Sequence, residues 1–127
     1  TVRELLKLVA NDPDVLTKEK PEKLRELLLS IKGIGPKTAD VFLLMVRGYP
    51  TFPIDTHIKR VLYRLGIVGK NEDYESMRSK VMKLIPRNRY LRAHLLLITH
   101  GRRICTARKP KCDECPIKHL CQRAGVR

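Results

Sequence analysis

Leu29-Ser30-Ile31-Lys32-Gly33-Ile34-Gly35-Pro36-Lys37-Thr38-Ala39 sets two glycines and a proline between two apolar stripes. Upstream, Pro21 stands where a helix begins, and Leu24, Leu27, Leu28 and Ile31 share one of its faces. Downstream, Pro36 opens a second helix through Ala39, Phe42, Leu43 and Val46 to a stop at Gly48. The pattern is a tight helical hairpin, over about 22–47, turning on Gly33-Ile34-Gly35. Its glycines can take positive φ, allow another backbone to come close, and leave amide N–H groups at the start of the second helix. Such amides, with the positive helix end, bind a phosphate oxygen without reading the base beside it. Many helical hairpins turn on glycine for steric reasons alone; Lys32 and Lys37, flanking this one, favour the phosphate reading.

Working outward, the rest of the chain also reads as helices. Val2, Leu5, Leu6 and Val9 recur at helical spacing up to Asn11-Asp12-Pro13, and a two-proline linker spans Tyr49 to Pro53. Asp55 is placed to cap a helix whose stripe, Ile58, Val61, Leu62 and Leu65, ends at Gly66. Two more are expected, at about Glu72 to Ile85 and about Arg89 to His100, the latter capped by Asn88 and closed by Gly101. No alternating strand, repeat or low-complexity tract interrupts them. The expected class is all-α, with a division at 1–53 and 54–127 and a cross-linked tail from Cys105 onward.

The chain has 127 residues and a net charge of +14. Residues 1–57 hold nine basic and eight acidic groups, whereas residues 58–127 hold 18 and 5. So one-sided a field points to a polyanion, and nucleic acid is the commonest one. A merely soluble basic surface is the alternative on charge alone. The apolar runs are far too short to span a bilayer, and Thr1 to Lys7 lacks an export signal, so neither membrane nor secretion is expected.

All four cysteines fall in the tail, as Cys105-x6-Cys112-x2-Cys115-x5-Cys121. A segment so short and polar cannot fold round a core of its own and needs a cross-link. Disulfides fit poorly without an oxidising compartment. Four thiolates on one zinc are the serious alternative, but zinc sites pair two short knuckles across a longer gap. Three different short spacings wrapping one centre suit a larger iron-sulfur cluster better.

Two further residues bear on chemistry. Lys37 falls in the first turn of its helix, where the dipole disfavours a second positive charge; a lysine in its neutral form is a nucleophile, and one that stays charged contacts phosphate. Asp55 is explained as a helix cap, yet an ionised carboxylate there can also stabilise positive charge or accept a proton.

Taken together, Ile31-Lys32-Gly33-Ile34-Gly35-Pro36-Lys37-Thr38-Ala39, Ile54-Asp55-Thr56-His57-Ile58-Lys59-Arg60-Val61, His100-Gly101-Arg102 and the cysteine tail resemble the endonuclease III branch of the helix-hairpin-helix DNA glycosylases. The resemblance covers nearly the whole chain, in order. It implies a base-excision repair enzyme that flips a damaged or mismatched pyrimidine out of the duplex, cleaves the glycosidic bond and nicks the strand. Lys37 would attack C1′ and form a Schiff base that permits β-elimination, and Asp55 would assist and stabilise the oxocarbenium-like sugar. Cys105, Cys112, Cys115 and Cys121 would hold a [4Fe-4S] cluster. DNA contacts would come from Lys32, Gly33, Ile34, Gly35 and Thr38, and from Arg108, Lys109 and Lys111 in the loop 106–111. Branches that only remove bases lack the lysine, so its presence argues against a monofunctional or adenine-mismatch enzyme. The place of action would be the cytoplasm and nucleoid of a prokaryote or the nucleus of a eukaryote.

Family members carry several more helices upstream of the hairpin, so the chain is expected to be a fragment, a split enzyme completed by another segment or chain, or a remnant. Asp40 stands where many relatives have asparagine. Two rival readings remain at this stage: a non-catalytic DNA-binding fragment that uses hairpin and tail as phosphate clamps, and a zinc-stabilised interaction domain. His57, His94, His100 and His119 lack ligand-like spacing and are expected to be structural or surface groups.

Overall fold

A computed structural model describes residues 2–126, the side chain of Val2 excepted. Among these the fold is all-α and divides into two compact units, Thr1–Pro53 and Ile54–Arg127. None of the helices is long and apolar enough to cross a membrane.

The first unit holds α1 (Val2–Asn11), α2 (Val15–Lys18), α3 (Pro21–Leu29) and α4 (Pro36–Met45). The short α2 has no counterpart in the sequence reading, because one turn of helix is too brief to show a period. Its core is Val15, Leu24, Leu28, Ala39 and Leu43, none more than 4% exposed, with Leu5, Leu8 and Val9 of α1 packed against it. A polar knot lies beside these leucines. The carboxylate of Asp40, fully buried, accepts from Arg25 Nε and Nη2 at 2.9 and 3.1 Å and from the Thr51 hydroxyl at 2.8 Å. The bidentate pair ties α3 to α4, and Thr51 ties in the linker that follows. Asparagine at position 40 could not hold the guanidinium in the same charged pair.

The second unit holds α5 (Thr56–Leu65), α6 (Tyr74–Leu84) and α7 (Tyr90–Arg103). Asp55 caps α5 by accepting from the Ile58 amide at 2.8 Å, and Gly66 ends it at φ +90°. Asp73 caps α6 through the Ser76 amide. Just ahead, Glu72 accepts from the Gly69 amide, the Ser76 hydroxyl and Lys80, which together hold its pKa down at about 2.

Both ends of α7 differ from the expected helix over Arg89 to His100. Arg87–Arg89 form a 3₁₀ turn, so Asn88 is not the cap, and the helix runs on through Gly101 to Arg103. Gly101 is there for space: a β-carbon on it would come within 3.1 Å of His57 Cβ and 3.3 Å of the His57 carbonyl. The glycine lets α7 lie close against α5 and does not stop the helix.

Candidate functional site

In the first unit, the turn between α3 and α4 is built on Gly33 at φ +94°. Gly35 lies instead at φ −92° and ψ 177°, extended backbone open to any residue, so only one of the two glycines is there for its torsions. Gly35 caps α4 without a side-chain hydrogen bond, and the first helical bond is from the Ala39 amide to its carbonyl, 3.1 Å. Pro36 has no N–H, and the amides of Lys37 and Thr38 precede that first bond. Nothing lies within 4 Å of where a Gly35 side chain would stand. Lys32, Gly33, Gly35, Lys37 and Thr38 are exposed and Ile34 is half-buried. This end of the hairpin is thus a free helix start flanked by two lysines, chemically fit for a phosphate.

In the second unit, Asp55 is half-buried at the start of α5. Its carboxylate also acts on His94, a buried histidine of α7: burial pushes the His94 pKa down, and the Asp55 charge partly opposes this.

The tail leaves α7 through bonds from the Ile104 and Cys105 amides to the His100 carbonyl, at 2.9 and 2.8 Å. The Thr106 hydroxyl donates to the carbonyls of Arg108 and Lys109, at 2.7 and 3.4 Å, and Lys109 takes the left-handed region at φ +48°. That turn exposes Arg108, Lys109 and Lys111 together. A 3₁₀ turn over Cys112–Glu114 then brings Cys115 round, its amide bonded to the Cys112 carbonyl at 3.1 Å.

Cys105, Cys112, Cys115 and Cys121 are all free thiols, half-buried, and all four line one cavity, with Arg64 and His100 also in its wall. Among the described residues no three His, Cys, Asp or Glu side chains are grouped to hold a single metal ion. Four thiols round a shared space can each take one iron of a cubane. N–H donors for sulfur are present: Arg64 Nη1 is 3.3 Å from Cys105 Sγ, and the Arg123 amide 3.3 Å from Cys121 Sγ. The residues therefore fit a [4Fe-4S] cluster.

Two side chains from the helices stand beside the thiols without any spacing in the sequence that pairs them with the cysteines. His100 Nε2 lies 3.6 Å from Cys115 Sγ, and burial lowers the His100 pKa. Arg64 lies 41 positions from Cys105, too far for any local pattern to pair them. His119 is exposed, and the half-buried His57 contacts Arg60.

Residues 105–121 match the family described as the iron-sulfur binding domain of endonuclease III. The chain is similar to endonuclease III of Sulfolobus acidocaldarius, 44% identical over 114 residues, covering 90% of this chain and 51% of that protein. Against endonuclease III of Escherichia coli it is 43% identical over 105 residues, 82% of this chain and 48% of that protein. The fold is similar to a trapped endonuclease III–DNA covalent intermediate at a TM-score of 0.82 and 30% identity, covering 96% of this chain and 55% of that one. It is also similar to a non-covalent endonuclease III–DNA complex, with a TM-score of 0.78 at 35% identity over 95% of this chain and 56% of that one. A thermostable thymine-DNA glycosylase gives 0.76 at 26% identity, over 93% and 54%. The chain spans about half the length of the curated relatives it matches. In its cysteine tail, its sequence and its helical fold, this chain is similar to endonuclease III.

Proposed function

We propose that this chain is the lysine-bearing part of a base-excision repair DNA glycosylase with AP lyase activity, acting on damaged or mismatched pyrimidines. The observation that carries the reading is Lys37, exposed in the first turn of α4 directly behind the Gly33–Gly35 turn, in a chain whose fold is similar to a trapped endonuclease III–DNA covalent intermediate.

DNA containing the lesion or an abasic site is the partner. The Lys37 and Thr38 amides and Lys32 hold a backbone phosphate, and Arg108, Lys109 and Lys111 hold another stretch of backbone, so affinity falls steeply with salt. These contacts offset the few kcal/mol that flipping a base costs. The neutral Lys37 amine attacks C1′ of the sugar as the glycosidic bond breaks and the base leaves, taking up a proton. The C1′–O4′ bond then opens, with O4′ protonated, to give the Schiff base. Loss of a proton from C2′ expels the 3′ phosphate by β-elimination, and water hydrolyses the imine to free the lysine. Asp55 carries the negative charge that stabilises the cationic sugar. When bound, the cluster supplies four iron–thiolate bonds that cross-link the tail. The tail's own residues then present the basic loop. The place of action is the nucleoid of a prokaryotic cytoplasm, in keeping with the bacterial and archaeal relatives.

Borohydride reduction with abasic-site DNA tests the reading. A covalent adduct is expected with the native chain and none with Lys37→Ala; an equal yield from both removes the lysine assignment. A second reading, a non-catalytic DNA-binding fragment that uses hairpin and tail as phosphate clamps, draws on the exposed Lys32 and Lys37 of the hairpin and Arg108, Lys109 and Lys111 of the tail. It predicts salt-sensitive binding to the same DNA with no adduct from the native chain.

A further inference from the structure

Arg60 and Arg64 stand one turn apart on α5, and both guanidinium groups reach the start of the cysteine tail. Their targets differ. Arg60 donates through Nε to the Cys105 carbonyl at 3.0 Å and through Nη2 to the Gly101 carbonyl at 2.6 Å, with His57 Nδ1 at 3.2 Å. Arg64 Nη1 reaches the Thr106 carbonyl at 2.7 Å, the Cys105 carbonyl at 3.3 Å and Cys105 Sγ at 3.3 Å, while Nη2 donates to the Ala107 carbonyl at 3.2 Å. Four acceptors on three consecutive residues need a planar, many-donor fork, which lysine's single nitrogen cannot reproduce. The main chain of Arg64 works on the other end of the tail. Its carbonyl lies 3.3 Å from Cys121 Sγ and accepts from the Ala124 amide at 3.1 Å. One residue thus touches the first and the last cysteine of the set.

We infer that Arg64 is a positioning residue of the cluster centre, spacing Cys105 from Cys121 and donating an N–H···S bond that sets the reduction potential of the bound cluster. A donor on a ligating sulfur draws off negative charge and so favours the more negative, reduced state. Arg60, whose bonds go to oxygen and ring nitrogen, anchors the same loop without that electronic effect. The inference rests on the cluster reading of the four thiols.

The test assembles the cluster anaerobically from equal parts of ferric and ferrous iron with sulfide in the native chain, Arg64→Lys and Arg60→Lys. It reads iron per chain, the potential by voltammetry and the rate of bleaching in air. Arg64→Lys should shift the potential negative and lose the cluster about tenfold faster, and Arg60→Lys should leave the potential unmoved. Native values in Arg64→Lys, or an equal shift in both variants, overturn the inference. If Arg64→Lys takes up no iron, Arg64→Gln decides: a native potential overturns the inference and a more negative one supports it. Failure of both Arg64 variants to assemble while Arg60→Lys assembles supports the spacing role. A native chain that takes up no iron overturns the cluster reading and the inference together, whereas native assembly with an unaltered Arg64→Lys overturns the inference alone.

Discussion

The hairpin of α3 and α4 and the tail beyond α7 are stretches of similar length held by opposite means. The hairpin buries Leu24, Leu28, Ala39, Leu43 and Leu44, and Asp40 with them, whereas no residue from 104 to 126 is buried. Burial of leucine-sized side chains is worth about 1.5–3 kcal/mol each, so the hairpin is stabilised by water exclusion. The tail relies instead on backbone bonds, short-range side-chain bonds such as those of Thr106, two arginines from α5 and its four thiols. The teaching of the pair is that exposed basic residues can be presented either on an apolar core or on a loop that leans on a neighbouring helix and on its own thiols, and that each fails in its own way.

The largest break should come at the cross-link. Cys115→Ala is expected to abolish iron uptake after anaerobic assembly and to open 104–126 to protease while 1–53 stays resistant; unaltered iron content would mean that the four thiols are not one centre. Stripping the iron from the native chain with a chelator should give the same cleavage pattern.

The next effect reverses the roles. Leu24→Ala removes a fully buried side chain from the core of the first unit and should cost about 2–5 kcal/mol in urea unfolding of that unit, with iron content unaltered. A smaller loss is expected from Asp40→Asn, about 1–2 kcal/mol, because Arg25 keeps a neutral oxygen to donate to and its side chain is 19% exposed to water. A loss beyond that of Leu24→Ala would show the polar knot, not the leucines, to hold the hairpin.

The smallest effect is one of pH in the second unit. Burial holds the His94 pKa below its ordinary 6.5, so the unfolded chain binds this proton more readily than the folded one. Its contribution to stability is complete above pH about 6.5 and is lost as pH falls toward the folded-state value. The urea midpoint should therefore drop between about pH 8 and about pH 5.5. Asp55→Asn, which still caps a helix but no longer favours the charged imidazole, should enlarge the drop; a smaller drop would contradict the sign.

Local chemistry was legible in the sequence. The start of α3 and of α4 at Pro21 and Pro36, the Asp55 cap and the left-handed Gly66 follow from residue type and spacing, since each depends on neighbours within one turn. The four cysteines that line one cavity were read from their short intervals for the same reason. The one-turn α2 and the extent of α7 were not, because a single turn carries no period and a glycine reads alike whether it ends a helix or admits a neighbour.

By itself the sequence determined that the chain is helical, basic toward its C-terminus and equipped with four closely spaced cysteines in its tail, all properties of composition and near spacing. Only tertiary structure decided the rest: that Asp40 meets Arg25 and Thr51, that Gly101 makes room for His57, and that Arg64 meets Cys105. These are partners fifteen, eleven, 44 and 41 positions apart, and no local pattern encodes which distant groups a close-packed interior brings within hydrogen-bonding distance.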